Sequence, residues 1–354
     1  MAKLAHGPFL RTGWGKFTPG TLALDADTDY PPRESRHQEG SMSDVSRRVL
    51  LQTAGMLGVA AATAGTANAQ GRPSAEDFIR AAKGARMFDL SFVWNEQSPV
   101  LGLNPPYAFA LNRTHKMTHE IFGQVPGSRV SWASDIMYFS GQHGAPTIDA
   151  IGHIGRDLKL HGGVDAVAAT STPGGIGQSL GIESFPADLM VNRVVFLDVA
   201  RQVAGGRPDP LPPGFEITGA HLEQTMRAQG VEVRRGDSLL IRTGWGQYFG
   251  KDNAKYLGEQ SPGPGQDGAR FIIDRGVRLA GDDTATFEKR PAAYGKELFS
   301  VHMMLLADHG IYIVENANLE ALGDAKAHVA LLVLTPLRIQ GATGSPLRAI
   351  ALVP

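Results

Sequence analysis

Five short apolar runs set the limits on what this chain can fold into. Arg193 to Val199 (RVVFLDV), Asp237 to Thr243 (DSLLIRT), Gly310 to Glu315 (GIYIVE), Leu331 to Pro336 (LLVLTP) and Arg348 to Leu352 (RAIAL) are rich in aliphatic side chains and read as buried strands. Arg86 to Phe92, Asp135 to Ser140 (DIMYFS) and Val277 to Ala280 are further strand candidates. Thr218 to Gln229 reads as a helix, with Thr218 as its cap and Leu222, Thr225 and Met226 on one face. Ser74 to Lys83, Ala269 to Arg275 and Val301 to Leu306 also read as helical. Trp94 to Phe109, Gly162 to Gly181 and Gln260 to Gly268 read as loops. Strands and helices alternate, but without the regularity of a doubly wound sheet. With 43 glycines and 22 prolines in 354 residues, a loop-rich α/β or β-rich architecture is expected.

Several functions are excluded early. No Gly-x-Gly-x-x-Gly follows a strand, and neither a phosphate-binding loop nor a Gly-x-Ser-x-Gly elbow is present, so nucleotide cofactors and a serine triad lack support. There are no cysteines, which removes disulfides, thiolate metal sites and a Cys nucleophile. The net charge of −1 gives no field that would favour nucleic acid or an acidic membrane surface. No apolar run reaches the length of a membrane-spanning helix, so no stable membrane anchor is expected.

The N-terminal region reads in two parts. Residues 42–69 have the layout of a twin-arginine-type signal: Arg47 and Arg48, then a weakly apolar stretch from Leu50 to Ala64, then Ala67-Asn68-Ala69 as a cleavage site. This predicts a mature chain that begins near Gln70, a domain over 70–354, and a periplasmic or secreted location. Residues 1–41 are polar and expected to be a disordered upstream extension. Their LRTGWGKF (Leu10 to Phe17) nearly repeats IRTGWGQY (Ile241 to Tyr248).

The chemistry concentrates in Gln142 to His153, QHGAPTIDAIGH, which carries His143, Asp149 and His153. Pro146 argues against a helix running from His143 through Thr147. Thr147 suits the cap of a short turn beginning at Ile148, which if helical places Asp149 and His153 on one face. A second cluster holds His302, in the apolar run VHMMLL, and Glu315, at the end of GIYIVE. An acid where a strand is expected to be buried needs a partner or a cation. His143, Asp149, His302 and Glu315 together make a nitrogen and oxygen donor set suited to Zn, Mn or Fe(II), leaving His153 as an unligated acid/base. Trp94, Tyr107, Phe109 and Trp245 are candidates to line a pocket for an aromatic or cyclic small molecule.

From Phe88 to Pro354 the chain resembles the cyclase-like metal-dependent hydrolases, the family of bacterial kynurenine formamidase and isatin hydrolase. The resemblance rests on Asp89-Leu90-Ser91, on the signature His-x-Gly-Thr-His-x-Asp-x-x-x-His, and on FLDVAR, LLIRTGW, GDDT, VHMMLL with GIYIVEN, and GATGSPLRAIAL. It implies an α/β fold, a swivelling β/β/α domain with a mixed sheet or barrel-like core, usually in homo-oligomers (dimer or tetramer). It implies hydrolysis of an amide, cyclic amide or lactone with a divalent ion, Zn or Mn. His143, Asp149, His302 and Glu315 match ligand positions, and His153 matches the acid/base histidine. The chain departs from the signature at its second histidine, which is Thr147 here, and at the Gly-Thr pair, which is Ala145-Pro146. A hydroxyl in that ligand position is a weaker donor than imidazole. An exported small-molecule binding protein with a degenerate site is therefore the alternative expectation.

Overall fold

The computed structural model describes residues 74–354, apart from Pro106, His143, Gln178 and 293–296. These described residues all belong to one unit, Ser43–Pro354. The expected extension, the signal segment, the start near Gln70 and His143 lie outside the described residues.

Thirteen strands are formed among the described residues: β1 (Arg86–Asp89), β2 (Ala108–Arg113), β3 (Ser134–Tyr138), β4 (Thr147–Asp149), β5 (Val191–Leu197), β6 (Glu216–Ile217), β7 (Ser238–Ile241), β8 (Gly263–Pro264), β9 (Leu279–Asp282), β10 (Tyr312–Glu315), β11 (Val329–Leu334), β12 (Gly344–Pro346) and β13 (Ala349–Val353). Nine of them make one mixed sheet in the order β1-β13-β11-β5-β7-β9-β10-β4-β12, which curls into a half-barrel. Strands β5, β7, β9 and β10 run parallel, and every other pairing in this sheet is antiparallel.

Burial follows from the pairing. Parallel strands are covered on both faces and need continuous apolar runs. SLLI of β7 and YIVE of β10 are buried at every position. In β11 and β13, by contrast, buried and half-buried residues alternate, as expected of antiparallel strands with one partly open face. The helix Gly219–Ala228 buries Leu222, Thr225 and Met226, and packs beside the helix Gln266–Asp274. Thr218 caps the first of these as expected. Its hydroxyl accepts from the His221 backbone N–H, and the His221 ring accepts in return from the Thr218 N–H.

Two of the sequence motifs meet inside this layer. The buried carboxylate of Asp283 accepts hydrogen bonds from the Thr243 N–H (2.8 Å), the Thr243 hydroxyl (2.6 Å) and the Gly244 N–H (2.8 Å). Burial nevertheless pushes its pKa up to about 6. The RTGWG turn and the GDDT segment are thereby fastened to each other.

Some expectations change. The turn expected at Ile148 is instead strand β4, because Thr147 and Ile148 find extended partners in β10 and β12. The expected loop Gln260 to Gly268 contains β8 and the start of the helix Gln266–Asp274. The expected loop Trp94 to Phe109 runs into β2, which pairs with β3. The expected helix Val301 to Leu306 is a helical turn, Ser300–His302, continued as a π-helix over Met303–Asp308. Such wide turns shift the register of the side chains and recur at functional sites. No helix among the described residues is long and apolar enough to cross a membrane.

Candidate metal centre

Strand alternation places Thr147 and Asp149 on the same face of β4, and Thr147 stands opposite Glu315 of β10. Asp149 is therefore the diagonal neighbour of Glu315 across the antiparallel pair, within reach of a carboxylate. The site lies where the parallel strands give way to antiparallel ones, at the carboxyl end of β10. Crevices of this kind are where α/β sheets bind ligands. Asn316, with φ of 58°, turns the chain immediately after Glu315 and anchors it by donating to the Thr284 carbonyl.

His302 closes the cluster from its helical turn. Its Nε2 lies 3.2 Å from Glu315 Oε1 and 3.8 Å from Asp149 Oδ2. Asp149, His302 and Glu315 can bring one donor atom each within 4.8 Å of one another, and all three are buried. The sequence reading thus brings together residues more than 150 positions apart. Asp149 is 1% exposed, and among the described residues neither of its carboxylate oxygens has a hydrogen-bond partner. An acid left so in a protein interior is strongly disfavoured unless a cation compensates it. The residues present therefore fit a divalent ion, and the nitrogen and oxygen donors without sulfur suit Zn or Mn.

The electrostatics agree. Burial, reinforced by the charge of Asp149, raises Glu315 to about 7, against the lowering effect of His302. Burial acts to lower the pKa of His302, but the hydrogen bonds to Glu288 and Glu315 outweigh it and hold the ring well above its usual value. The two shifts differ in their leading cause: burial itself raises the carboxyl of Glu315, whereas the neighbouring carboxylates raise His302 against its burial.

His153 stands beside the cluster, its Nε2 4.0 Å from Asp149 Oδ1. Gln142, for which sequence reasoning found no role, holds the other side of the ring. Its Nε2 donates to the Thr343 carbonyl (3.1 Å), which sets the amide orientation, and lies 3.3 Å from His153 Nδ1. The contact holds the ring with Nε2 facing the cluster. Arg156, three residues on, clamps Asp308 through two bonds (3.2 and 2.9 Å) and Glu297 through a third (2.8 Å). It ties the His153 loop to the end of the helical segment that carries His302.

Two site expectations are revised. The hydroxyl of Thr147 is engaged by the carbonyls of Gly141 (3.0 Å) and Ser345 (3.2 Å), so its hydrogen bonds serve the packing of β4. Trp245, expected at a pocket wall, is packed in the core. It is 2% exposed in a small apolar cluster with Phe249 and Tyr256, and its indole N–H donates to the Tyr256 carbonyl. The reason is its position after β7, where the turn folds inward onto Asp283. Trp94 packs against Tyr107 at a tilt of 33° (4.3 Å between centroids) and meets the edge of Phe139 (5.8 Å), just before the site loop in sequence. Phe109 is 43% exposed on β2. Glu288, also unforeseen, bonds the rear nitrogen of His302. In GDDTATFEKR it reads as one charge in a surface run, and only its three-dimensional neighbour reveals it.

A buried donor cluster at the edge of a curled mixed sheet defines a cyclase-like α/β domain with the makings of a metal centre. The chain belongs to the putative cyclase family, whose sequence profile matches residues 88–289. That span includes Asp149, His153 and Glu288, while His302 and Glu315 lie beyond it. The chain is 30% identical over 168 residues to the isatin hydrolase of Roseibium aggregatum, covering 45% of this chain and 62% of that protein. It is 31% identical over 158 residues to a kynurenine formamidase of Bacillus cereus, covering 45% and 66% respectively. The matches thus span just under two thirds of these relatives. Among solved structures, a novel cyclase aligns over 79% of this chain and 93% of its own, with 29% identity and a TM-score of 0.67. Isatin hydrolase A from Ralstonia solanacearum aligns over 83% and 100%, with 20% identity and a TM-score of 0.61, and so shares the fold.

Proposed function

We propose that this protein is a metal-dependent hydrolase that cleaves the C–N bond of an amide or cyclic amide, or a lactone. The observation that carries this reading is the buried carboxylate of Asp149, without a hydrogen bond from any of the described residues at either oxygen and facing His302 and Glu315. Asp149, His302 and Glu315 would hold the ion, joined by His143 from its place in the signature. When bound, a divalent cation polarises the scissile carbonyl and lowers the pKa of water towards neutrality.

The remaining work falls to the chain's own groups. Asp149 and Glu315 supply the negative charge that selects a cation. His153 presents Nε2 to the substrate, because Gln142 occupies Nδ1. That nitrogen takes the proton that the attacking water sheds as the water adds to the carbonyl carbon. It then gives the proton to the leaving nitrogen or oxygen as the bond to that carbon breaks, so the histidine ends the cycle unchanged. Trp94 and Tyr107, packed together at a tilt, offer aromatic surface for a cyclic or aromatic substrate, in keeping with the names isatin hydrolase and kynurenine formamidase carried by the relatives.

The test is an activity screen of Zn- or Mn-loaded protein across aryl formamides, isatin-like lactams and lactones, paired with elemental analysis. A stoichiometric ion with turnover on one class is expected. Protein that takes up no ion and turns over none of them is instead the degenerate binder, a reading favoured by the engaged hydroxyl of Thr147. In the same assay His153→Ala is expected to keep its metal while activity falls roughly 10²–10⁴-fold, the range for an acid/base residue. Full turnover in that variant removes His153 from the mechanism.

A further inference from the structure

We infer that Glu288 is the positioning residue for His302, holding the ring so that Nε2 presents its lone pair to the cation; this rests on the metal-centre reading above. The geometry is direct. Glu288 Oε1 lies 2.6 Å from His302 Nδ1, and Glu288 Oε2 accepts from the Val301 N–H at 3.0 Å. One carboxylate therefore grips both the ring of His302 and the backbone of its neighbour. Both residues are buried, Glu288 at 7% and His302 at 3% exposure, so water does not compete for the contact. Neither Glu288 nor Glu315 can donate as a carboxylate, so each ring nitrogen of His302 faces an acceptor in the metal-free protein. A metal ion can take only a nitrogen that has lost its proton. The shorter and doubly anchored contact belongs to Nδ1, so the proton stays on Nδ1 and Nε2 becomes the ligand atom.

Position along the chain strengthens the assignment. Glu288 follows Phe287, a fully buried residue with φ of 52°, and the backbone there approaches Gly263 so closely that a side chain at that glycine would meet the Phe287 carbonyl at 2.3 Å. The carboxylate is thus presented by a packed, left-handed turn and not by a free loop.

The inference is tested on the full chain by measuring Zn²⁺ affinity through chelator competition, with ¹⁵N-histidine NMR of the Zn-loaded protein. Glu288→Gln is nearly isosteric but replaces one acceptor oxygen by a donor group. It is expected to weaken Zn²⁺ binding by about 10–100-fold, the range for residues that orient a metal-binding histidine. The slowly exchanging Nδ1–H proton of His302, assigned by its loss in His302→Gln, is expected to disappear or move. Glu288→Asp keeps the carboxylate and is expected to recover part of both signals; it decides the matter if the glutamine variant does not fold. Wild type that binds Zn²⁺, with a variant that binds equally tightly and shows the same ring resonance, overturns the positioning role alone. Wild type that binds no Zn²⁺ overturns the metal centre itself, and this inference with it.

Discussion

Asp149→Asn is expected to abolish stoichiometric uptake of a divalent ion and, in the same protein, to stabilise the metal-free fold. Both effects have one origin. The Asp149 carboxylate is buried, and among the described residues neither oxygen has a hydrogen-bond partner, while His302 Nε2 stands 3.8 Å away and His153 Nε2 4.0 Å away. These separations are too long for hydrogen bonds. Without the ion, the carboxylate costs stability; with it, the same charge binds. An amide at this position carries no charge and costs less to bury. The metal-free variant is therefore expected to gain roughly 1–3 kcal/mol in urea unfolding, the cost of an unsatisfied buried group. Wild type should gain about 4 kcal/mol when the ion is present at a thousand times its dissociation constant, and the variant should gain nothing. Turnover should fall by at least about 10³-fold, as the loss of several kcal/mol of transition-state charge stabilisation requires. A variant that still carries one equivalent of metal would sink the site.

The second large effect concerns the framework behind the site. Arg242→Leu is expected to cost about 3–5 kcal/mol, read as a fall in thermal midpoint of roughly 5–15 °C. Arg242 follows β7 and is 1% exposed. Its guanidinium donates to Asp198 (2.9 Å), to both oxygens of Glu320 (3.1 and 2.7 Å) and to the Pro208 carbonyl (3.2 Å). Removing it leaves Asp198 buried with only Arg201 as a cationic partner. Breaking one side of a buried ion pair is far more harmful than removing both, because the remaining charge stays desolvated. Adding Asp198→Asn to Arg242→Leu should therefore return part of the stability. A lone Arg242→Leu protein that melts with wild type removes this network from the account of the fold.

These two residues also show how far reading the chain could go. Arg242 sits in LLIRTGW, where the apolar run makes the strand legible, but the polar residue after it gives no hint of its three carboxylate bonds. Asp149, His302 and Glu315 were legible by chemistry. A carboxylate or imidazole inside an apolar run is unexplained until it has a partner, and three such residues suggest one partner in common. Glu288 and Gln142 were not legible, since each acts only through a side chain distant in sequence. Trp245 was misread for the opposite reason. An aromatic residue beside glycines suits a pocket wall, and only the burial of its turn against Asp283 and Tyr256 shows it to be packing.

The order of apolar runs determined that β5, β7, β10, β11 and β13 would be strands, because a chain segment that must be covered on one or both faces declares it by composition. The helix capped by Thr218 was determined in the same local way. Strand β4 was decided by tertiary structure alone. Thr147 to Asp149 is too short to hold an extended shape by its own preference, and becomes a strand because Glu315 and Pro346 lie on either side to pair with it. That pairing turns Asp149 towards His302. The donor types were written in the chain, but their convergence depends on long-range backbone hydrogen bonds that no local stretch encodes.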